Sequence, residues 1–104
     1  MDSQFILLWE FQVSAGKRLS FERFYGSEGG WAQLFRSSKG FNRTELVRDV
    51  TRPGRYMTLD FWASQHDYEV FRRDNLAAYE SLDVECEELT DSEIALGSFC
   101  QVIG

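Results

Sequence analysis

Residues 4–13 alternate as a β-strand does, with Phe5, Leu7, Trp9, Phe11 and Val13 on one side and Gln4, Ile6, Leu8, Glu10 and Gln12 on the other. Both sides carry apolar residues. After the break at Ser14-Ala15-Gly16, the helical spacing of Phe21, Phe24 and Tyr25 predicts a helix from Lys17 to Tyr25. Gly26 to Gly30 interrupts it, and Trp31, Leu34 and Phe35 restart the pattern in a second short piece that ends before Gly40. Phe41–Val50 and Arg55–Trp62 read as two strands around Thr51-Arg52-Pro53-Gly54, where Pro presets one turn dihedral and Gly permits positive φ. Ser64 is the expected N-cap of the next helix, with Asp67 in its first turn. That helix carries Tyr68 and Phe71, is expected to kink near Asp74-Asn75, and continues with Leu76, Tyr79, Leu82, Cys86 and Leu89. Ile94 to Ile103 closes the chain as a strand, with Ile94, Leu96, Ser98, Cys100 and Val102 on one side and Ala95, Gly97, Phe99, Gln101 and Ile103 on the other.

The order β-α-β-β-α-β predicts an α+β fold over residues 1–104 as one domain: a ferredoxin-like sandwich of a four-stranded antiparallel sheet under helices. The first and third strands are then central. Helices cover one face of such a sheet, yet the first and last strands are apolar on both. Burying apolar area is worth about 25 cal/mol per Å², so the bare face calls for a cover. The expected cover is a second copy, giving a homodimer that pairs sheet to sheet. The alternative is that the fragment Gly29 to Ser37 folds across the bare face within one chain.

The net charge of −6 hides an asymmetry, because all 11 Lys and Arg lie in residues 1–73 whereas residues 74–104 hold 8 acids and no base. A sequence pI near 4.7 speaks against a surface that tracks phosphates, so no nucleic-acid partner is expected. The longest apolar run, Phe5 to Trp9, is far too short to span a bilayer or to serve as a signal-peptide core, and Met1-Asp2-Ser3-Gln4 carries no positive charge. No membrane association and a cytoplasmic location follow as expectations. Cys86 and Cys100 match no metal or redox spacing and are expected to be reduced core residues.

Neither a dinucleotide fingerprint nor a P-loop occurs, and one His with two distant Cys offers no zinc set, so no metal and no cofactor are expected. His66 beside Ser64 and Asp67 reads as part of a helix cap rather than as a triad. The acidic run from Asp83 to Glu93 reads as a solvated helix end, without calcium-loop spacing. What remains is the aromatic load, 3 Trp, 4 Tyr and 9 Phe. Strand alternation places Tyr56, Thr58, Asp60 and Trp62 on one face, with Tyr68 just beyond on the next helix. A cleft there suits a flat aromatic ligand, stacked on rings and oriented by Thr58, Tyr68 or Asp60. The competing expectation is that Trp62, Tyr68 and Phe71 fill the space themselves.

Gly40-Phe41 entering the second strand, Pro53-Gly54-Arg55-Tyr56 at the hairpin and Phe61-Trp62-Ala63-Ser64 opening the helix, together with the element order, are features of a known family. The chain resembles the antibiotic biosynthesis monooxygenases, whose ferredoxin-like chains pair into dimeric α/β barrels. The resemblance implies oxidation of a small aromatic, quinol or polyketide-type substrate without metal or flavin, the deprotonated substrate itself reducing oxygen. Its oxidising members carry an Asn, a Trp four residues later and a Tyr six beyond; Trp62 and Tyr68 match, and Thr58 stands in place of the Asn. The implied catalytic residues are therefore Tyr68, Trp62 and Thr58, with Tyr56, Asp60, Phe71 and Trp9 as substrate-binding residues. Thr has one hydroxyl where Asn has a donor and an acceptor, so a homodimeric protein that binds an aromatic or lipophilic molecule without turnover is the alternative. The haem-degrading branch expects an Asn where Trp9 stands, a Trp where Phe71 stands, and a His between Asp67 and Thr90, where none occurs. Haem degradation is not expected.

Overall fold

The computed structural model describes residues 3–104; Met1 and Asp2, part of the N-terminal stretch read above for a targeting signal, lie outside the described residues. The chain forms β1 (Phe5–Gln12), a 3-10 turn at Ala15–Lys17, α1 (Arg18–Tyr25), α2 (Gly30–Phe35), β2 (Phe41–Arg48), β3 (Arg55–Trp62), α3 (Gln65–Asp74), α4 (Leu76–Cys86) and β4 (Ser92–Cys100). The strands make one antiparallel sheet in the order β2-β3-β1-β4, with β1 and β3 central, which is the ferredoxin-like α+β arrangement. Among the described residues no helix is long and apolar enough to cross a membrane.

Local chemistry sets these boundaries. Gly54, at φ +82°, closes the hairpin where an L side chain would be strained. Asp49 holds the same turn by accepting from the backbone N–H of Thr51 and of Arg52. Ser64 Oγ accepts from the Asp67 N–H at 3.1 Å and so starts α3. The kink expected at Asp74-Asn75 is a full break, with Asn75 at φ −123° and ψ 26° between α3 and α4.

Three expectations need correction at β4. The strand ends at Cys100, and Ala95 pairs with Trp9 while Gly97 pairs with Leu8, leaving Leu96 as an extra residue. Gly97, at φ +134°, accommodates this bulge. The parity of the strand therefore reverses: Gly97 and Phe99 join Ile94 on the face away from the helices, whereas Glu93, Ala95, Ser98 and Cys100 share the helix side with Phe11, Trp9, Leu7 and Phe5. Cys86 is buried, but Cys100 is exposed, because an edge strand has no neighbour beyond it; both thiols are free.

The core lies between the sheet and the helical layer and is almost wholly aromatic. Trp62 is 0% exposed and packs on Phe35, Phe41, Tyr68 and Phe71, with ring centroids 5.2–5.7 Å apart. The short helix α2 turns Trp31 and Phe35 into this layer, against Tyr25, Tyr79 and Trp62. It does not cross the opposite face of the sheet, which removes the single-chain cover considered above. On that face Ile6, Leu8, Met57 and Leu59 are half-buried, and Ile94 and Phe99 are 50% and 47% exposed. A charged strip runs beside them, in which Arg55 donates to Glu10 at 2.9 Å and to Asp49 at 3.0 Å.

Candidate active site

Because β1 and β3 are paired with Trp9 opposite Thr58 and Leu7 opposite Asp60, their helix-side residues form a floor. Helices α1, α2 and α4 arch over it and leave a cavity of about 40 Å³. Trp9, Thr58 and Asp60 line the cavity from below, and Tyr25, Trp31 and Tyr79 from above. Phe11, Phe35 and Thr44 also line it, and Asp83 on α4 and Glu93 on β4, both exposed, mark its mouth.

Asp60 is the chemical centre of this space. It is 7% exposed, and Thr44, its cross-strand partner on β2, donates Oγ1–H to Oδ1 at 2.7 Å. Burial pushes the carboxyl up to about 6, and the Thr44 hydrogen bond offsets part of that rise. The group is thus poised to exchange a proton near neutrality. Tyr79 is pushed up to about 12 by burial, with Tyr68 adding to the rise and Arg72 opposing it, so its hydroxyl keeps its proton. Tyr25 is raised further still, by burial first and then by Cys86 and Glu93. At the mouth the Glu93 carboxyl is also raised, by burial and then by the charge of Asp83.

The seven site residues expected from the sequence separate into three places along one face. Thr58, Asp60 and Trp9 line the cavity. Trp62, Tyr68 and Phe71 stack on one another beside it and fill their own space, with Trp62 5.4 Å from Tyr68 and 5.2 Å from Phe71. The Tyr68 hydroxyl accepts from Arg72 Nη1 at 3.1 Å, and the same guanidinium lies 3.9 Å over the Tyr79 ring. Tyr56 lies at the far end of β3 and donates its hydroxyl to Glu22 on α1. The physical reason is length: six residues of strand span roughly 20 Å, more than one small cavity can reach.

The size of the cavity also changes what it can hold. A water takes about 30 Å³ in the liquid and a cavity of about 150 Å³ accepts benzene, so this one admits a diatomic molecule or the edge of a ring rather than a whole ring. The pattern of residues along the chain passed over Thr44, Tyr25, Trp31, Tyr79, Asp83 and Glu93. Tyr79 and Asp83 had a signal in their i, i+4 spacing; Thr44 and Glu93 had none, since only the pairing of strands places them. Among the described residues no cluster of three or more His, Cys, Asp or Glu is arranged to hold a metal ion.

No family model matches the chain, and no curated protein matches it in sequence. Solved structures do match. A protein from Bordetella bronchiseptica, provisionally named an antibiotic biosynthesis monooxygenase, superposes with a TM-score of 0.72 at 20% identity, over 97% of this chain and 99% of that one. A second provisionally so named, from Nitrosomonas europaea, gives 0.72 at 9% identity over 98% and 93%. SnoaB, a cofactor-independent oxygenase from Streptomyces nogalater, gives 0.66 at 18% identity over 100% and 97%. At these identities the likeness is one of fold, and the fold is the one that the sequence resemblance implied.

Proposed function

We propose that this chain is a cofactor-independent monooxygenase acting on a small aromatic, quinol or polyketide-type substrate. The observation that carries the reading is the Asp60 carboxyl, buried among aromatic walls and held near neutral pKa at the floor of the cavity. As a carboxylate it takes a proton from an activated ring CH2 or phenol. The electron-rich anion that results passes its electrons to O2 in the small space over Asp60. For a ring CH2, the carbanion and O2 form a C–O bond, Asp60 returns its proton to the peroxide, and loss of water leaves C=O, so that CH2 and O2 become C=O and H2O. Thr58 orients the substrate oxygen, and the protonated Tyr79 hydroxyl donates to the developing oxyanion. The remainder of the ring lies at the mouth.

Trp62 and Tyr68 act in this reading by packing and by position. Tyr68 holds Arg72 over the Tyr79 ring, which places the hydroxyl that faces the reaction. Oxygen uptake with a panel of hydroquinones and anthrones tests the assignment. Wild type is expected to turn over at least one of them, and Tyr68→Phe to lower kcat severalfold with little change in KM. Saturable quenching of tryptophan fluorescence by the same compounds without oxygen uptake would instead establish a binding protein.

The apolar face of the sheet supports a homodimer, with Ile6, Leu8, Leu59 and Phe99 buried against a second copy. Sedimentation is expected to give twice the mass of the chain, and Leu59→Lys, which puts a charge into the apolar face, to give a folded monomer. A wild-type monomer at micromolar concentration would overturn the dimer.

A further inference from the structure

Asp60 owes its hydrogen-bond partner to an irregularity in the neighbouring strand. In β2, Phe41 pairs with Trp62 and Arg43 with Phe61, so Asn42 is an extra residue and forms a bulge. Paired without that bulge, β2 would set Arg43 opposite Asp60. The extra residue turns Arg43 to the outer face, where its guanidinium lies 3.8 Å over the Phe61 ring, and brings Thr44 opposite Asp60 on the helix side. The carboxyl thus meets a neutral hydroxyl in place of a cation. A guanidinium there would hold it ionised far below neutrality, too weak a base for a phenol or a ring CH2.

The contact itself is closed to solvent and short. Thr44 is 2% exposed, and its Oγ1–H donates to Oδ1 at 2.7 Å, the one hydrogen bond acting on this carboxyl among the described residues. Oδ2 keeps its lone pairs for the cavity. The ionisable groups that face Asp60 across the cavity are Tyr25 on α1, Tyr79 and Asp83 on α4 and Glu93 on β4, while α2 contributes Trp31 and Phe35. No Lys or Arg among the lining residues offsets the burial of Asp60, so the Thr44 hydroxyl is the group that favours the carboxylate.

We propose that Thr44 is the positioning residue of the base: by holding Oδ1 it fixes the Asp60 side chain so that Oδ2 takes the substrate proton. The O–H or C–H bond of the substrate breaks, its proton joins Oδ2, and the electron pair stays on the substrate. Thr44 donates to Oδ1 before and after, and so favours the ionised form without changing its own charge. The inference deepens the oxygenase reading and rests on it for the proton transfer; the hold on Asp60 is measurable without any reaction.

Thr44→Val keeps the shape of the side chain and removes the hydroxyl, and Thr44→Ser restores the hydroxyl. The ionisation of Asp60 is read by carbon-13 NMR of aspartate-labelled protein, its signal identified by loss in Asp60→Asn. Oxygen uptake is followed over the same pH range with a compound that wild type turns over. In Thr44→Val the Asp60 midpoint is expected to rise by about 1–2 pH units, the worth of one hydrogen bond to a charged group, and in Thr44→Ser to return close to wild type. The rise of kcat/KM with pH is expected to move with it, so that the rate at pH 7 falls about twofold to tenfold in the valine variant alone. Should near-ultraviolet circular dichroism show Thr44→Val unfolded, Thr44→Ala takes its place. A midpoint that removal of the hydroxyl leaves unmoved, or that serine does not restore, overturns the inference. A midpoint that moves while the kcat/KM profile stays overturns Asp60 as the base, and the proton step with it, but not the hold of Thr44 on the carboxyl. Absence of oxygen uptake with every compound overturns the oxygenase reading and the proton step, and the resonance then decides the hold of Thr44 by itself.

Discussion

Asp60→Asn is expected to lower oxygen uptake by at least about 100-fold and, at pH 7, to raise the melting temperature. The loss of activity follows from the removal of the proposed general base, a contribution of roughly 10²–10⁴ in rate. The gain in stability follows from the same burial that makes the base useful. Burial holds the carboxyl at about 6 in the folded protein against 3.8 in the unfolded chain, so the folded state binds this proton more tightly. The group costs nothing below about pH 4, its cost grows between there and about pH 6, and above that it is fully present, at about 3 kcal/mol. Asparagine has no such charge to desolvate and can still accept from Thr44, so several degrees are recovered at neutral pH. Wild-type kcat/KM is correspondingly expected to rise with pH through about 6 as the carboxylate forms. Circular dichroism melts at pH 4 and pH 7, beside oxygen uptake over the same range, check both halves. Unchanged uptake in the asparagine variant would remove Asp60 from the reaction.

Trp62→Ala is expected to destabilise the fold by about 3–5 kcal/mol, a large part of the total of about 5–15 kcal/mol typical of a domain this size. Trp62 has no exposed surface and touches four other rings, so its removal leaves a hole that rigid aromatic neighbours cannot collapse to fill. Trp62→Phe is a milder change. It keeps a ring in place, and it discards an indole N–H that is buried without a partner, which offsets some of the lost contact. Urea unfolding is expected to show the alanine variant largely unfolded at low denaturant and the phenylalanine variant within about 1–2 kcal/mol of wild type. Oxygen uptake by the phenylalanine variant is expected to stay within about threefold of wild type, in contrast to Asp60→Asn. An alanine variant as stable as wild type would mean that Trp62 does not fill the core.

Much of this molecule is written locally. The alternation of Phe5 through Val13, the Pro53-Gly54 turn, the Ser64 cap and the break at Asn75 each depend on a few neighbouring residues, and each is found where the pattern placed it. The two-faced apolar strands likewise announced a face that the helices leave bare. The bulge at Leu96 was not legible, because an extra residue in one strand is defined only by the partner it fails to meet, and it reversed the faces of Phe99 and Cys100.

The candidate site divides in the same manner. Thr58, Asp60 and Trp62 share a strand face by period alone, so the sequence by itself determined that a carboxyl would lie among rings under the helices. Which of them meets open space was decided only in three dimensions, by α2 driving Phe35 against Trp62 and by α4 standing off far enough at Tyr79 to leave a gap over Asp60. Thr44 reached Asp60, and Glu93 reached the mouth, through strand register across many residues of chain. Periodicity fixes direction, because it is a property of the backbone of one element; emptiness and proton affinity arise between elements, and these set the raised carboxyl of Asp60 beneath a gap.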